Sequence, residues 1–101
     1  MAFYPIERLH RLYDGYQRAI TLAGHSLLLV QVDGQVHALR NICPHMDAPL
    51  TYATIKNGIL RCPLHGIEFR IQDGCALRSP VGSIQKFRVA YEGDQVGVEL
   101  P

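Results

Sequence analysis

Two short segments of the chain each carry one cysteine and one histidine. Cys43 and His45 stand two residues apart, Cys62 and His65 stand three residues apart, and 16 residues separate His45 from Cys62. Thiolate sulfur and imidazole nitrogen are ligands that soft and borderline transition metals prefer in proteins. The spacing therefore predicts that these four residues converge on one metal site.

A proline follows each of the two cysteines, and a hairpin signal lies between them. Pro44 and Pro63 bias the preceding cysteine toward extended backbone angles and stiffen each segment. Asn57-Gly58 is typical of a two-residue hairpin turn, which returns the chain and brings both segments to the same end of a β structure. A lone cysteine or histidine in a β domain is usually a core or surface residue. Two such pairs joined by a hairpin instead indicate a binding site.

The residue pattern leaves two kinds of metal site open. Zinc fingers usually place two cysteines in one segment and two histidines in another, with a helix carrying the histidines. Here each segment mixes one cysteine with one histidine, and the sequence shows no clear helix. That mixture favours a binuclear cluster in which each segment binds one iron through its cysteine and the other iron through its histidine. A zinc-bound structural module stays open as the alternative.

Turn dipeptides divide the rest of the chain into β-hairpins that must position these segments. The turn signals are Asp14-Gly15, Asp33-Gly34, Asn57-Gly58, Asp73-Gly74 and Glu92-Gly93-Asp94. Asp-Gly and Asn-Gly accept the positive φ angles of hairpin turns, so the flanking segments are predicted to pair as strands. The strands predicted around these turns are His25–Val32, Gln35–Arg40, Thr54–Lys56, Ile59–Arg61, Ile67–Gln72 and Cys75–Leu77.

The C-terminal segment alternates apolar and polar residues with the period of a strand. Phe87, Val89 and Tyr91 share one predicted face, and the apolar alternation resumes after the turn at residues 96, 98 and 100. Ile6 and Leu9 have helix-like spacing, but that run is short. We therefore predict an all-β fold and a single domain over residues 1–101.

Composition excludes several classes of function. The 101 residues are 48% hydrophobic and 19% charged with a formal net charge of +1, so the chain is a packed domain without a basic field for nucleic acid. The longest apolar run, Leu27–Val30, is far shorter than the roughly 20 residues of a membrane span. Three cysteines argue against a disulfide framework, and the N-terminus shows no signal-peptide core, so we expect a cytoplasmic protein. A large catalytic cleft is also hard to build from a chain of this length.

The cysteine and histidine segments resemble the Rieske 2Fe-2S motif, C-x-H…C-x-x-H. The similarity extends along nearly the whole chain, through Asp33-Gly34, Leu50, Phe69, Gly74 and the closing pair of strands. It implies antiparallel sheets in a sandwich or partial-barrel base, with a smaller cluster-binding subdomain of two loops at about residues 41–82. By the same resemblance, Cys43 and Cys62 bind one iron of a single 2Fe-2S cluster, and His45 and His65 bind the other. Residues 79–82, Ser79-Pro80-Val81-Gly82, occupy the place of a third, covering loop.

Departures from the family pattern indicate which kind of Rieske protein this is. Relatives in respiratory cytochrome bc complexes add one cysteine to each loop and join them in a disulfide, whereas this chain has Ala48 and Leu64 there. Those relatives also have Ser and Tyr hydroxyls that donate to cluster sulfur, at the places of Ile67 and Phe69. Because donors to sulfur stabilise the reduced cluster, their loss predicts a potential near the low end of the Rieske range, roughly −150 mV. Asp47 stands where oxygenase-type ferredoxins mostly have glycine, and we expect aspartate to tolerate the left-handed backbone there.

The resemblance implies an electron carrier rather than an enzyme. We expect a soluble monomeric ferredoxin that carries one electron from a flavin-containing ferredoxin reductase to a terminal, aromatic-ring-hydroxylating dioxygenase. A small Rieske subunit of a nitrite-reductase-like enzyme is the alternative within the family. Met46, Pro49 and Leu64 are candidates for an apolar docking rim, with packing around the cluster as the other interpretation. We expect Cys75 to be a packed residue without a redox role, and the histidines at 10, 25 and 37 to occupy surface or strand positions.

Overall fold

The computed structural model describes residues 2–44, 47–64, 66–78 and 80–101, so His45, Met46, His65 and Ser79 lie outside the described part. The described residues form ten β-strands and one 3-10 helix of three residues, which confirms the all-β prediction. The elements in chain order are β1 (Ala2–Arg8), the 3-10 helix (Leu9–Arg11), β2 (Gln17–Leu22), β3 (His25–Val32), β4 (Gln35–Arg40), β5 (Thr54–Lys56), β6 (Ile59–Arg61), β7 (Glu68–Arg70), β8 (Ala76–Leu77), β9 (Lys86–Glu92) and β10 (Gln95–Leu100).

The strands form two antiparallel sheets. Six of the described strands make the large sheet, in the order β1-β10-β9-β4-β3-β2, and four make the small sheet, in the order β5-β6-β7-β8. Strands β4 and β9 pair directly, with Ala38 opposite Phe87 and Leu39 opposite Lys86. The chain between those strands builds the small sheet and carries both cysteine segments, so the site is inserted between two neighbouring strands of the large sheet. In the described residues, helical structure is too short to cross a lipid bilayer.

The hairpin predictions are confirmed where both turn residues take positive φ. Asp33 and Gly34 have φ of 51° and 77°, and Asn57 and Gly58 have φ of 53° and 75°, as a type I′ turn requires. The four strands flanking these two turns, β3 to β6, have the predicted bounds. The predicted strand at 67–72 is shorter, spanning Glu68–Arg70, because the chain turns from residue 71 onward. The strand predicted at 75–77 is also shorter.

The turn at Asp14-Gly15 does not join a pair of strands, contrary to the hairpin interpretation of its sequence. Strand β1 pairs with β10, and β2 pairs with β3 across Ala23 and Gly24, both of which have positive φ. The Asp14 carboxylate instead accepts hydrogen bonds from the Gly34 amide at 2.9 Å and from the Gln31 side chain at 3.0 Å. The dipeptide therefore fastens the N-terminal segment to the β3–β4 hairpin.

Strand β3 is buried on both faces and separates two apolar cores. Leu27 and Leu29 lie in one core and Leu28 and Val30 in the other, as the period of two residues in a strand requires. This explains why residues 27–30 form the longest apolar run in the sequence. The sheet core comprises Ile6, Tyr16, Leu27, Leu29, Ala38, Val96, Val98 and Leu100. The cysteine core comprises Leu28, Val30, Leu39, Cys43, Ala48, Leu50, Ala53, Leu60, Cys62, Phe69, Ile71 and Ile84.

Lys86 connects a buried histidine of the large sheet to the chain segment between β7 and β8 of the small sheet. The Lys86 ammonium group donates to Nδ1 of His37 at 2.9 Å and to the Gln72 carbonyl oxygen, also at 2.9 Å. His37 lies on β4 and is only 8% exposed, so it occupies the expected strand position but is not a surface residue. Burial lowers the pKa of His37, and the positive charge of Lys86 lowers that pKa further. The neutral imidazole, with its proton on Nε2, is therefore the form that accepts the lysine hydrogen bond.

We expect this link to make the stability of the protein depend on pH. Because the folded state lowers the pKa of His37, the unfolded state binds more protons, and stability decreases as the pH falls from about 6.5 through the folded-state pKa. Replacing His37→Asn keeps an acceptor near the position of Nδ1 but removes the titration. Urea unfolding midpoints of the cluster-loaded protein between pH 5.5 and 8 should fall less steeply in this variant.

The matched control is His10→Asn, because His10 is exposed on the 3-10 helix. This control should keep the pH dependence of the original protein. Parallel curves for the original protein and the His37 variant would show that the link does not contribute to the pH dependence.

Candidate metal centre

The structure buries the two predicted cysteine ligands in the same core. Cys43 is 0% exposed and Cys62 is 2% exposed, and both belong to the cysteine core. The sequence separates them by 18 intervening residues, and the β5–β6 hairpin lies between the two segments that place them in this core. The predicted histidine ligands, His45 and His65, lie outside the described residues. Their assignment stays a prediction from the motif.

Each cysteine opens a backbone turn with the same hydrogen bonds. In the first loop, residues 43–48, the Cys43 amide donates to the Ala48 carbonyl at 2.7 Å and the Asp47 amide donates to the Cys43 carbonyl at 2.8 Å. In the second loop, residues 62–67, Cys62 makes the equivalent bonds with residues 67 and 66 at 2.9 and 3.0 Å. The two loops are therefore equivalent turns of equal length. The histidine stands at the third position of one turn and at the fourth position of the other.

The fifth position of each turn needs a left-handed backbone. Asp47 has a φ of 54° and Gly66 has a φ of 69°. Aspartate is among the few side chains that adopt this region at low cost, which explains how the first loop keeps the turn without glycine. A Cβ atom at residue 66 would lie 2.9 Å from Nη2 of Arg61, so the second loop has less room for a side chain. The expectation that Asp47 preserves the turn is confirmed.

Apolar groups surround the cysteines at the positions that distinguish subclasses of the motif. Phe69 is fully buried in the cysteine core, and Ile67 and Val81 pack against that core. Neither Phe69 nor Ile67 has a side-chain donor, so their side chains cannot donate a hydrogen bond to sulfur. Ala48 is 7% exposed and Leu64 is 62% exposed, and neither can form a disulfide. Among the described residues, the side chains that pack with the two thiols in the cysteine core are therefore apolar, and apolar surroundings disfavour additional negative charge.

The second loop borders a shallow surface groove with exposed apolar groups. Tyr52 is 86% exposed and Leu64 is 62% exposed, whereas Cys62 at the same groove is almost fully buried. Pro49, the other described member of the predicted rim, is also exposed, and Met46 lies outside the described residues. The residues lining the groove are Tyr52, Thr54, Arg61, Cys62, Pro63, Leu64 and Gly66.

The third cysteine occupies a different environment from the first two. Cys75 is half-buried, bridges to Ser83 in an antiparallel pair and accepts the Ser83 hydroxyl at 3.7 Å. Its backbone amide donates to the Asp73 carboxylate at 3.0 Å. These contacts fit the predicted packing role and place Cys75 in the turn that precedes β8.

Asn41 is a residue near the site that the motif did not single out. Asn41 is only 7% exposed, and its side chain forms hydrogen bonds with Leu50 and Thr51. A sequence signal exists, because a neutral amide stands two residues before Cys43 at the end of an apolar strand. That signal identifies no partner, since the donor, the Leu50 amide, lies 9 residues away and the acceptor, the Thr51 hydroxyl, lies 10 residues away.

The residues present fit a binuclear iron–sulfur cluster. Two buried thiols share one apolar core, and two equivalent turns, one before β5 and one after β6, carry them. Each turn also contains one histidine in the sequence. A pair of mixed cysteine–histidine turns would supply two ligands of each type, as a cluster with two cysteine and two histidine ligands requires.

Comparison with known proteins gives consistent matches. The chain matches the Rieske [2Fe-2S] domain model over residues 2–88. It is 31% identical to the ferredoxin component of the naphthalene 1,2-dioxygenase system of Pseudomonas aeruginosa, over 91% of this chain and 89% of that protein. The structure is similar to the Sphingomonas yanoikuyae B1 ferredoxin, with a TM-score of 0.87, 28% identity and coverage of 99% of this chain and 100% of that one.

A longer relative matches over a small part of its length. The chain is 39% identical to human apoptosis-inducing factor 3 over 86% of its own residues. It spans only 14% of the length of that protein. The similarity therefore concerns a small part of the longer relative.

We expect the second loop to tolerate a side chain at residue 66 poorly. Gly66→Ala places an L side chain in the left-handed region, at a cost of roughly 1–2 kcal/mol, and presses its Cβ against Arg61. The free energy of unfolding, from urea denaturation of the loaded protein, should fall by about 1 kcal/mol or more.

The equivalent position of the first loop supplies the control. Asp47→Gly keeps the left-handed turn and should change the free energy of unfolding by less than about 1 kcal/mol. Equal losses of unfolding free energy in Gly66→Ala and Asp47→Gly would contradict the explanation by backbone strain at residue 66.

Proposed function

Because the chain belongs to the Rieske 2Fe-2S domain family, we propose that it is an electron carrier of an oxygenase system and not itself an enzyme. It accepts one electron from a flavin-containing ferredoxin reductase and passes it to a terminal, aromatic-ring-hydroxylating dioxygenase. The observation that carries this proposal is the burial of Cys43 and Cys62 in one core by two equivalent turns. The naphthalene dioxygenase ferredoxin component supports the choice of partners, because it matches nearly end to end.

In this proposal, Cys43 and Cys62 hold one iron, and His45 and His65 hold the other. The cluster supplies a single redox couple that gains and loses one electron. The protein contributes two buried sulfur ligands. In each turn, the backbone amide and carbonyl of the cysteine are hydrogen-bonded to later residues of that turn. Rigid turns suit electron transfer, because a ligand set that changes little between oxidation states lowers the cost of the transfer.

We extend the proposal to domain organisation and location. Residues 1–101 form one Rieske domain whose cluster-binding part covers about residues 41–82, and the topology supports this because that part lies between the paired strands β4 and β9. A cytoplasmic location agrees with Ala48 and Leu64, which replace the disulfide cysteines of other subclasses. We also propose that the carrier is a monomer.

Partner docking in this proposal uses the exposed apolar rim near the second loop. Leu64 is exposed in the second loop, Tyr52 and Arg61 border the same groove, and Pro49 is exposed in the connection that follows the first loop. The formal net charge is only +1, so long-range electrostatic steering is weak and contact shape decides recognition. The rim is the part of the described surface that joins exposed apolar side chains to a cysteine ligand.

Iron and acid-labile sulfide analysis tests the cluster directly. We expect two iron atoms and two sulfides for each chain, with Cys43→Ser and Cys62→Ser each losing most of both. Cys75→Ser is the matched control and should keep the full content, because Cys75 bonds to Ser83 in a separate turn. One zinc ion and no sulfide would contradict the proposal and support the zinc module instead.

Co-purification separates the free carrier from a fixed subunit. A chain isolated alone from its native source supports the carrier. A large subunit that stays bound through purification supports the nitrite-reductase-like alternative.

The apolar environment of the cysteines predicts a low reduction potential, roughly −150 mV. Ile67→Ser adds a hydroxyl donor near the second cysteine and should raise the potential, because a donor to sulfur stabilises the reduced form. Ile67→Ala is the control, since it removes similar volume without adding a donor. A redox titration measures all three proteins.

Two results would count against this interpretation. A potential well above zero for the original protein would overturn the low-potential assignment. Equal potentials for the serine and alanine variants would show that residue 67 does not reach the sulfur.

A further inference from the structure

The two equivalent loops are supported in different ways. The second loop, residues 62–67, joins β6 to β7, and these strands pair with each other at Arg61 and Glu68. The first loop lies in a 13-residue connection, residues 41–53, between β4 of the large sheet and β5 of the small sheet. A strand ladder therefore closes the base of the second loop. The base of the first loop needs another support.

The Asn41 side chain supplies that support. Its Oδ1 accepts a hydrogen bond from the Leu50 amide at 2.6 Å, and its Nδ2 donates to the Thr51 hydroxyl at 2.9 Å. Its backbone amide donates to the carbonyl of Ser26, in strand β3, at 2.9 Å. Asn41 thus connects the large sheet to the chain on the far side of the first loop.

These bonds enclose the turn that contains Cys43. Asn41 precedes the cysteine by two residues, and Leu50 follows Ala48, the last residue of the turn, by two residues. A buried amide costs free energy unless its donor and acceptor are satisfied, and here both ends have partners. The side chain is therefore held in one orientation, and it fixes the distance between the two ends of the loop.

The second loop has a different residue at the corresponding place. Leu60 stands two residues before Cys62, is fully buried and offers no polar group. Its strand already pairs on both sides, with β5 and with β7. The amide is therefore specific to the loop that lacks a strand ladder.

We propose that Asn41 is a positioning residue that sets the placement of the Cys43 sulfur relative to Cys62, and through it the electronic properties of the cluster. This inference rests on the proposed function. We call the hydrogen-bonded side chains of Asn41 and Thr51 the clamp, because the Thr51 hydroxyl accepts the hydrogen bond from Asn41. Gln17 assists further along the same connection, by donating to the Ala53 carbonyl at 3.1 Å.

The test uses the cluster-loaded protein with graded variants of the clamp. Asn41→Leu removes both side-chain bonds at similar volume, Thr51→Val removes only the hydroxyl, and Thr51→Ser restores it. The control is Gln31→Leu, which removes an amide hydrogen bond to Asp14 far along the chain from both loops. Asn41→Leu should speed hydrogen exchange of the Leu50 amide by about tenfold or more, because that amide loses its acceptor.

The spectroscopic and redox properties of the cluster distinguish a positioning role from an effect on general stability. Asn41→Leu should shift the electron paramagnetic resonance g-values of the reduced cluster and its reduction potential, with a smaller shift in Thr51→Val and none in Thr51→Ser. Gln31→Leu should leave both quantities unchanged even where it lowers the unfolding midpoint. Where Asn41→Leu does not fold, the two Thr51 variants decide the question.

The outcomes distinguish this inference from the function on which it rests. Unchanged g-values and potential in Asn41→Leu and Thr51→Val would overturn the positioning role while leaving the electron carrier intact. An original protein without iron and sulfide would instead overturn the proposed function. The exchange rate of the Leu50 amide would then test only whether Asn41 holds the first loop in place.

Discussion

The structure depends on bringing two sulfur atoms that are distant in sequence into one buried, apolar core. Each cysteine enters that core on a loop, and its buried backbone amide and carbonyl must find hydrogen-bond partners. The paired bonds from Cys43 to residues 47 and 48, and from Cys62 to residues 66 and 67, meet this requirement within each turn. The need for a left-handed residue at the fifth position follows from that closure, and so does the choice of Asp47 and Gly66 there.

The large sheet provides the fixed frame against which the loops are placed. Strands β4 and β9 pair with each other, so the chain that leaves β4 and returns at β9 must keep its ends close. Strand β3 contributes to both apolar cores, and Lys86 joins β4 to Gln72 through His37. Movement of the small sheet relative to the large one therefore disturbs buried apolar packing and a satisfied polar link at the same time. Both penalties keep the cysteine core in one arrangement.

Sequence reasoning succeeded where local chemistry alone decides the backbone. Asp33-Gly34 and Asn57-Gly58 both form turns with two positive φ angles, and the strands around them have the predicted bounds. It failed at Asp14-Gly15, because the Asp14 side chain bonds to residues 31 and 34 of another hairpin. The motif predicted that Cys43 and Cys62 share a site, but neither the role of Asn41 nor the burial of His37 followed from the sequence. Those two depend on partners that only the folded chain brings close.

The two loops reach the same turn by different means, and this difference has a physical consequence for the cluster. A backbone ladder holds the second loop, so most substitutions of its strand residues leave the hydrogen bonds in place. A side-chain amide holds the first loop, so its geometry depends on the identity of one residue. Rieske ligation is itself asymmetric, since one iron takes sulfur ligands and the other takes nitrogen ligands. In the proposed ligation each loop gives one ligand to each iron, so a displacement of the first loop would alter both halves of the cluster together. Tuning through Asn41 therefore reaches the whole redox centre without a substitution at any ligand.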